Sequence, residues 1–294
     1  MQLYYFKGSR PNFGDDLNPW LWPRLLNHDL FNDDDRELFL GIGSILYDSF
    51  PNDRKKIVFG SGYGGYTNLP VIDETWEFRF VRGKITAGLL NIDENLAFGD
   101  SAILVRSCVA MNGDKKHGIS FMPHWESTLY GAWDRVCEAA GIHFIDPCAA
   151  TEDVLDDIVS SEVLIAEAMH GAIVADALRV PWIPVKPIQE QHQMKWHDWA
   201  SALDLRISAY DIPGSSLTEF ITGKLGRDQA AIDTFRTESC ALNSFFPSFF
   251  IEEAARQLTA IGGFPPSMSS DCRIAQAHEL MLKEVDIMNR SSRT

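Results

Sequence analysis

Val163-Leu164-Ile165-Ala166-Glu167-Ala168-Met169-His170-Gly171-Ala172 reads as an apolar strand that turns a corner at its carboxyl end and enters a helix. The helical pattern runs over 171–178, and Val180-Pro181-Trp182-Ile183-Pro184-Val185 follows as another strand. Strands that are apolar on both faces and separated by helices belong to a parallel sheet covered on both sides. Working back from this unit, Gly118-Ile119-Ser120-Phe121-Met122-Pro123-His124 is a strand that ends in a Pro-His corner. Residues 129–140 have helical spacing with Gly141 as the C′ residue, 143–146 form a short strand, and Thr151 is the expected N-cap of a further helix. Residues 195–203 are helical, and Arg206-Ile207-Ser208 closes a Rossmann-like domain spanning 113–215.

The same grammar is written once before it. Leu38-Phe39-Leu40-Gly41-Ile42-Gly43-Ser44, Lys56-Ile57-Val58-Phe59-Gly60-Ser61-Gly62 and Phe78-Arg79-Phe80-Val81-Arg82-Gly83 are buried strands that end in glycine-rich turns. A helix over 84–90 and a strand end at Leu96-Ala97-Phe98-Gly99-Asp100 complete a first Rossmann-like domain, 1–112. After it the second domain gives way to a helical extension, 216–294, with helices expected over 217–225, 227–242, 250–261 and 273–288. The expected architecture is therefore α/β, with two Rossmann-like domains facing a cleft and a helical tail packed on both lobes. In such folds ligands sit at the carboxyl ends of the strands.

Composition narrows the partners. A formal net charge of -15 argues against nucleic acid, which calls for a basic face. It leaves room for a small anion, because a few cations in one cleft outweigh a distant acidic surface. Five scattered cysteines without CxxC spacing, and an N-terminus without a basic and apolar leader, point to reduced thiols in a cytoplasmic protein. No apolar run approaches the roughly 20 residues that span a bilayer. Trp20-Leu21-Trp22 and Phe245-Phe246-Pro247-Ser248-Phe249-Phe250 allow at most peripheral membrane contact, with core packing the plainer reading.

Asn12-Phe13-Gly14-Asp15-Asp16 lies between a strand and a helix expected to begin near Pro19. Backbone N–H groups there suit an anion, whereas Asp15 and Asp16 suit a sugar hydroxyl; a simple capping turn is the alternative. Gly43 and Ser44, at a strand end, imply close approach of backbone to a ligand or a neighbouring loop. His170 stands at the strand-to-helix corner. The following helix disfavours a proton on it and an anionic substrate favours one, which suits a general acid or base near neutrality. Arg82 leaves a buried strand into a turn, and its planar fork matches carboxylate or phosphate. Lys186, Lys195 and Arg10 are further cations, and His124 marks the other cleft wall. No metal-binding spacing is present; His192 and His197 read as surface.

Together these pieces resemble the polysaccharide pyruvyl transferase family. The resemblance rests on Asn12, Gly14 and Asp15 after the first strand, then Gly41-Ile42-Gly43-Ser44, Arg82-Gly83-Lys84-Ile85-Thr86 and Gly99-Asp100. It continues through His170-Gly171, Ala175, Val180-Pro181 and Lys195, and covers about residues 1–210. It implies a GT-B-like fold, no cofactor, and transfer of a pyruvyl group from phosphoenolpyruvate to a sugar of a lipid-linked exopolysaccharide precursor. It also implies that His170 is the general acid and that Arg82 and Lys195, with Lys186 or Arg10, hold the donor. Asn12, Gly14, Asp15, Asp16, Gly43, Ser44 and His124 would face the acceptor. This sequence departs from the family at Ala168, where many members carry arginine. The short Met-His-Gly form resembles the branch acting on succinoglycan or xanthan. A nucleotide-sugar glycosyltransferase of the same architecture and an inactive sugar-binding homologue are the competing readings.

Overall fold

The computed structural model describes the chain apart from residues 33, 35, 112, 187–191, 226–246 and 292–294 and the side chains of 222–225 and 247. The whole of the expected helix 227–242, and Phe245 and Phe246, lie outside the described residues.

Two parallel sheets organise the molecule. The first runs β1 (Gln2–Tyr4), β2 (Glu37–Leu40), β3 (Lys55–Phe59), β4 (Trp76–Phe80), with neighbours paired in that order. The second is built from β5 (His117–Met122), β6 (His143–Phe144), β7 (Ser161–Ala166) and β8 (Trp182–Pro184), in the order β6-β5-β7-β8. Parallel neighbours need crossover connections, and helices or irregular segments supply them. Apolar character on both faces is the reason: Leu164, Ile165 and Ala166 at the end of β7 are all fully buried.

Helix α1 (Phe13–Leu25) starts six residues before the expected Pro19 and encloses Pro19 and Pro23. Proline inside a helix removes a hydrogen bond to the carbonyl four residues back. Here the side chain of Asn18 repairs the gap, donating from Nδ2 to Asp15 O at 3.1 Å. The same Asn18 donates to Ile42 O (3.0 Å) and accepts from Ile42 N and Trp22 Nε1 (both 2.9 Å). A fully buried amide thus fastens the proline-bearing helix to the end of β2.

Four local expectations are corrected. The strand end at 96–100 is a 3-10 turn, Glu94–Leu96, with a single bridge at Ala97. Asp100 then accepts from Ala102 N and starts a second 3-10 segment, Ser101–Ser107, so local side-chain bonding outcompetes the sheet. The helix over 129–140 is two, α3 (Trp125–Tyr130) and α4 (Trp133–Ala140), separated where Ala132 N donates to Ser215 Oγ. Helix α5 (Thr151–Val159) has Ala150 as its N-cap rather than Thr151. Residues 206–208 are irregular.

The crossovers continue with α2 (Lys84–Leu90), α6 (Met169–Ala177) and α7 (Gln193–Ala202), and α8 spans Leu217–Leu225. The helix Pro247–Gly262 lays Ile251, Ala254, Leu258 and Ile261 against Phe121, Ile165 and Ile183 of the second sheet. The helix Asp271–Ser291 buries Ile274, Ala277, Met281, Val285 and Met288, a stripe at three- and four-residue spacing. Its far end is tied to the first lobe by Asn27 N to Asn289 Oδ1 (2.8 Å) and Arg79 Nε to Glu284 (2.8 Å). Trp20, Leu21 and Trp22 are core residues. Among the described residues no helix is long and apolar enough to cross a membrane.

One buried ion pair joins the lobes. Arg82, just past β4, donates from Nε to Asp198 Oδ2 on α7 at 2.9 Å, and both side chains are fully buried. Asp198 also accepts from Thr86 N and Thr86 Oγ1, while Arg82 gives its other nitrogens to Ser44 Oγ (2.7 Å) and Tyr63 O (2.6 Å). Gly83 lets the chains touch: a Cβ there would stand 1.8 Å from Asp198 O. Breaking a buried pair by removing one partner strands the other charge and costs about 3–5 kcal/mol. Arg82→Ala should therefore lower unfolding stability by that amount in urea denaturation. A loss below about 1 kcal/mol, the scale of an exposed pair, would contradict the lobe-joining role.

Candidate functional site

A cavity of about 520 Å³ opens between the carboxyl ends of the two sheets. Its first-lobe wall includes Tyr4, Asn12 to Asp15, Gly43 to Ile45 and Tyr47; its second-lobe wall comes from Met122, His124 to Glu126, Ala168 to His170, His192 and Lys195. The amino-terminal ends of α1, α3, α6 and α7 all open onto this space. Helix amino termini carry unsatisfied N–H groups and positive dipole ends, so their convergence favours a negatively charged guest.

His170 occupies the first turn of α6 with its side chain 14% exposed. Its Nε2 faces Asp100 Oδ2 at 3.6 Å; both atoms are buried, and neither has a hydrogen-bond partner among the described residues. Asp100 is fixed in turn by Ala102 N, which donates to its other oxygen at 2.9 Å. A carboxylate behind an imidazole favours one orientation of the ring. On the other side of the ring, Nδ1 lies against the backbone of Gly14, where a Cβ would come within 2.0 Å. Only glycine lets the start of α1 meet the start of α6 with the imidazole between them.

Asp15 sits opposite. Burial pushes its carboxyl above the usual carboxylate range, against the lowering effects of His170, a hydrogen bond from Asn12 Nδ2 (2.6 Å) and Lys195. Asp16 turns back to accept from Asn12 N (3.0 Å), completing the helix cap instead of lining the cavity. His124 caps α3, and its backbone N donates to Glu167 Oε2 at 2.7 Å. Burial, helped by Lys195, His192 and His170, drives its imidazole well below the usual histidine range, so it is neutral.

The expected cations separate. Arg82 is spent on Asp198, Ser44 and Tyr63, so it supports the cavity from behind without lining it. Lys186 pairs with Asp211 at 2.7 Å beside a different hollow, and Arg10 lies at a shallow hollow with Thr128 and Cys148. Lys195 remains, lining the cavity without an ion pair or hydrogen bond among the described residues. Burial, reinforced by Arg82, brings its ammonium down to about 8, against the opposing pull of Glu126, Asp15 and Glu167. Ala168 contributes only a methyl group to the wall.

Sequence reading missed three groups. His192, expected at the surface, is 6% exposed and lines the cavity; His197 is exposed as expected. Glu126 stands 3.2 Å from His192 Nε2 and 3.5 Å from His124 Nδ1. Asp100 was visible as a strand-end carboxylate, but nothing in one dimension paired it with His170. Although no metal-binding spacing is legible, His124, Glu126 and His192 bring three donor atoms within 4.8 Å of one another, as do His117, His143 and Asp157 at the far end of the second sheet.

No protein-family model matches the chain, and no solved structure matches it. Over 225 residues, 74% of this chain and 70% of the relative, it is 38% identical to the succinoglycan biosynthesis protein ExoV of Rhizobium meliloti (strain 1021).

The state of Lys195 sets a pH dependence. Its ammonium is charged below about 8 and loses its proton above, so anion binding in the cavity should weaken as pH rises through that value. Calorimetric titration with sulfate, whose own charge does not change there, should show the decline, and Lys195→Met should abolish it. Binding that is flat across this range in the parent protein would contradict the assignment.

Proposed function

Because the chain belongs to the family of the exopolysaccharide biosynthesis protein ExoV, we propose that it transfers a pyruvyl group from phosphoenolpyruvate to a sugar of an exopolysaccharide repeat-unit precursor, leaving a pyruvate ketal. The observation that carries this reading is the His170–Asp100 pair, set beside Lys195 in a cavity onto which several helix amino termini converge. Such a site suits a small, multiply charged anion that must be protonated on carbon.

The chemistry then follows from the groups present. The carboxylate and phosphate of the donor lie at the helix amino termini with Lys195 offsetting their charge. His170 gives its proton to the methylene carbon, which becomes a methyl group, and the adjacent carbon becomes an oxocarbenium-like centre. Asp100 faces the ring from behind at 3.6 Å. One sugar hydroxyl adds to that centre, inorganic phosphate departs, and a second hydroxyl closes the ketal. Of the two hydroxyl protons released, one restores His170 and one leaves with phosphate.

The acceptor side is aromatic. Tyr4, Phe6, Tyr47, Tyr66 and Trp125 line the cavity, and Phe6 is 52% exposed at its edge. Flat rings with polar tips are suited to pyranose faces and their hydroxyls. Asn12 and Asp15, the latter raised by burial, add hydrogen-bonding capacity there. We place the acceptor on a lipid carrier at the cytoplasmic face of the membrane, and we read the two-lobed arrangement as GT-B-like.

Incubation with phosphoenolpyruvate and an oligosaccharide acceptor should release phosphate only when both are present. No release with any acceptor, alongside turnover of a nucleotide sugar, would sink the proposal. His170→Ala should cost about 100–10,000-fold in kcat, the usual contribution of a general acid. Gly14→Ala, which displaces the ring without removing it, should cost about 100-fold, as a misplacement of about 1 Å does. Full activity in Gly14→Ala would show that the packing of His170 against α1 has no catalytic consequence.

A further inference from the structure

His124, Glu126 and His192 form a group that the transfer chemistry above leaves unused. Glu126 Oε2 is the hub, 3.2 Å from His192 Nε2 and 3.5 Å from His124 Nδ1, which also takes a long 3.4 Å cap bond from Glu126 N; one donor atom from each of the three residues lies within 4.8 Å of the others. Donor atoms bound at about 2.0–2.2 Å around one first-row ion lie roughly 3–3.5 Å apart, so two of the three separations already have that spacing. The two imidazoles are buried, their ring centroids are 4.9 Å apart, and all three residues line the cavity.

We propose that this cluster is a mononuclear site for a borderline divalent ion of the first transition row, built from two imidazoles and one carboxylate. The donor set decides the class. Two nitrogens and one oxygen suit zinc, iron, cobalt or manganese, whereas magnesium and calcium favour oxygen alone. Three protein ligands leave at least one coordination position, which is the mark of a working metal site as against a closed structural one. Because the cluster lines the cavity, that position is available to an anionic oxygen of a bound substrate.

The surroundings hold the ligands in place. His124 is fixed through its backbone by Glu167, which also accepts from Ser127 Oγ at 2.8 Å. His124 and Glu126 lie at the start of α3 and His192 caps α7, the helix that the Arg82–Asp198 pair clamps to the first lobe. The ion would therefore connect α3 to α7 across one wall of the cavity. His117, His143 and Asp157 are a weaker match: Asp157 lies 3.1 Å from His143 and 3.8 Å from His117, but the two imidazoles stack in parallel at 3.6 Å and the group lies away from the cavity.

Metal binding is independent of the donor's identity, so its test uses the metal alone. The full-length protein, stripped with chelator and dialysed, is titrated with cobalt(II) and with zinc(II) by calorimetry, and cobalt coordination is followed by its visible ligand-field bands. The expected result is one equivalent bound, with bands showing nitrogen ligation. His192→Ala and Glu126→Gln should each weaken binding by at least the ~10–100-fold that loss of an outer-shell partner alone costs. His143→Ala should leave stoichiometry and affinity unchanged. Thermal melts of metal-free variants confirm that they fold, and Glu126→Gln keeps the test available should a histidine variant fail. Absence of stoichiometric binding in the parent protein, or loss of binding with His143→Ala in place of the other two, overturns the site. Phosphate release from phosphoenolpyruvate is read separately, so failure of one proposal is distinguishable from failure of the other.

Discussion

The pairing of Arg82 with Asp198 is the constraint on which the rest depends. A guanidinium and a carboxylate, both fully buried, are tolerated only because every strong partner is supplied: Thr86 for the acid, Ser44 and Tyr63 for the base. Their burial brings the end of β4 against α7 and so fixes the helix that presents Lys195 and His192 to the cavity. Ser44 serves both structures at once, receiving Arg82 on one side and lining the cavity on the other. The arginine therefore acts on the site at one remove. Its positive charge still reaches the cavity, as the second cause of the lowered Lys195 ammonium.

The cavity itself is a balance of opposed charges on partly buried walls. Helix amino termini and Lys195 favour an anion, while Asp15 and Glu126 oppose one. Burial tilts this balance, because it lifts Asp15 toward its neutral form and leaves His124 uncharged. Lys195 then remains as a cation on the cavity wall, and His170 faces Asp100 at 3.6 Å. Gly14 and Asn18 show how much of this rests on α1. One residue gives room for the imidazole, and the other repairs the helix after Pro19 and secures it to β2.

Much of the fold is legible in one dimension, and the reason is burial. Runs such as 163–166 are apolar on both faces because helices cover both sides of a parallel sheet, and the sequence records that directly. The start of α1 was misread because proline normally marks a helix boundary, and the Asn18 amide that overrides it acts through space. Asp100 looked like the end of a strand for the same reason, since its bond to Ala102 is local but its partnership with His170 spans 70 positions. Of the candidate residues at strand ends and helix starts, Asn12, Gly14, Asp15, Gly43, Ser44, His124, His170 and Lys195 all line one cavity. The cations were harder. An arginine leaving a strand has the same appearance whether it meets a ligand or a buried aspartate, and Arg82 met the aspartate. His192 looked like surface because its neighbours in sequence are polar, whereas its neighbours in space are Glu126, His124 and Tyr66.

The central claim is that this cavity delivers a proton to the methylene carbon of phosphoenolpyruvate. Running the transfer in deuterium oxide and analysing the ketal by mass spectrometry tests it most directly. His170 exchanges its ring proton with solvent, so the account predicts a deuterium in the methyl group of the transferred pyruvyl unit, formed at a rate that collapses in His170→Ala. A product whose methyl group carries no solvent deuterium, or one formed equally fast without His170, would contradict it.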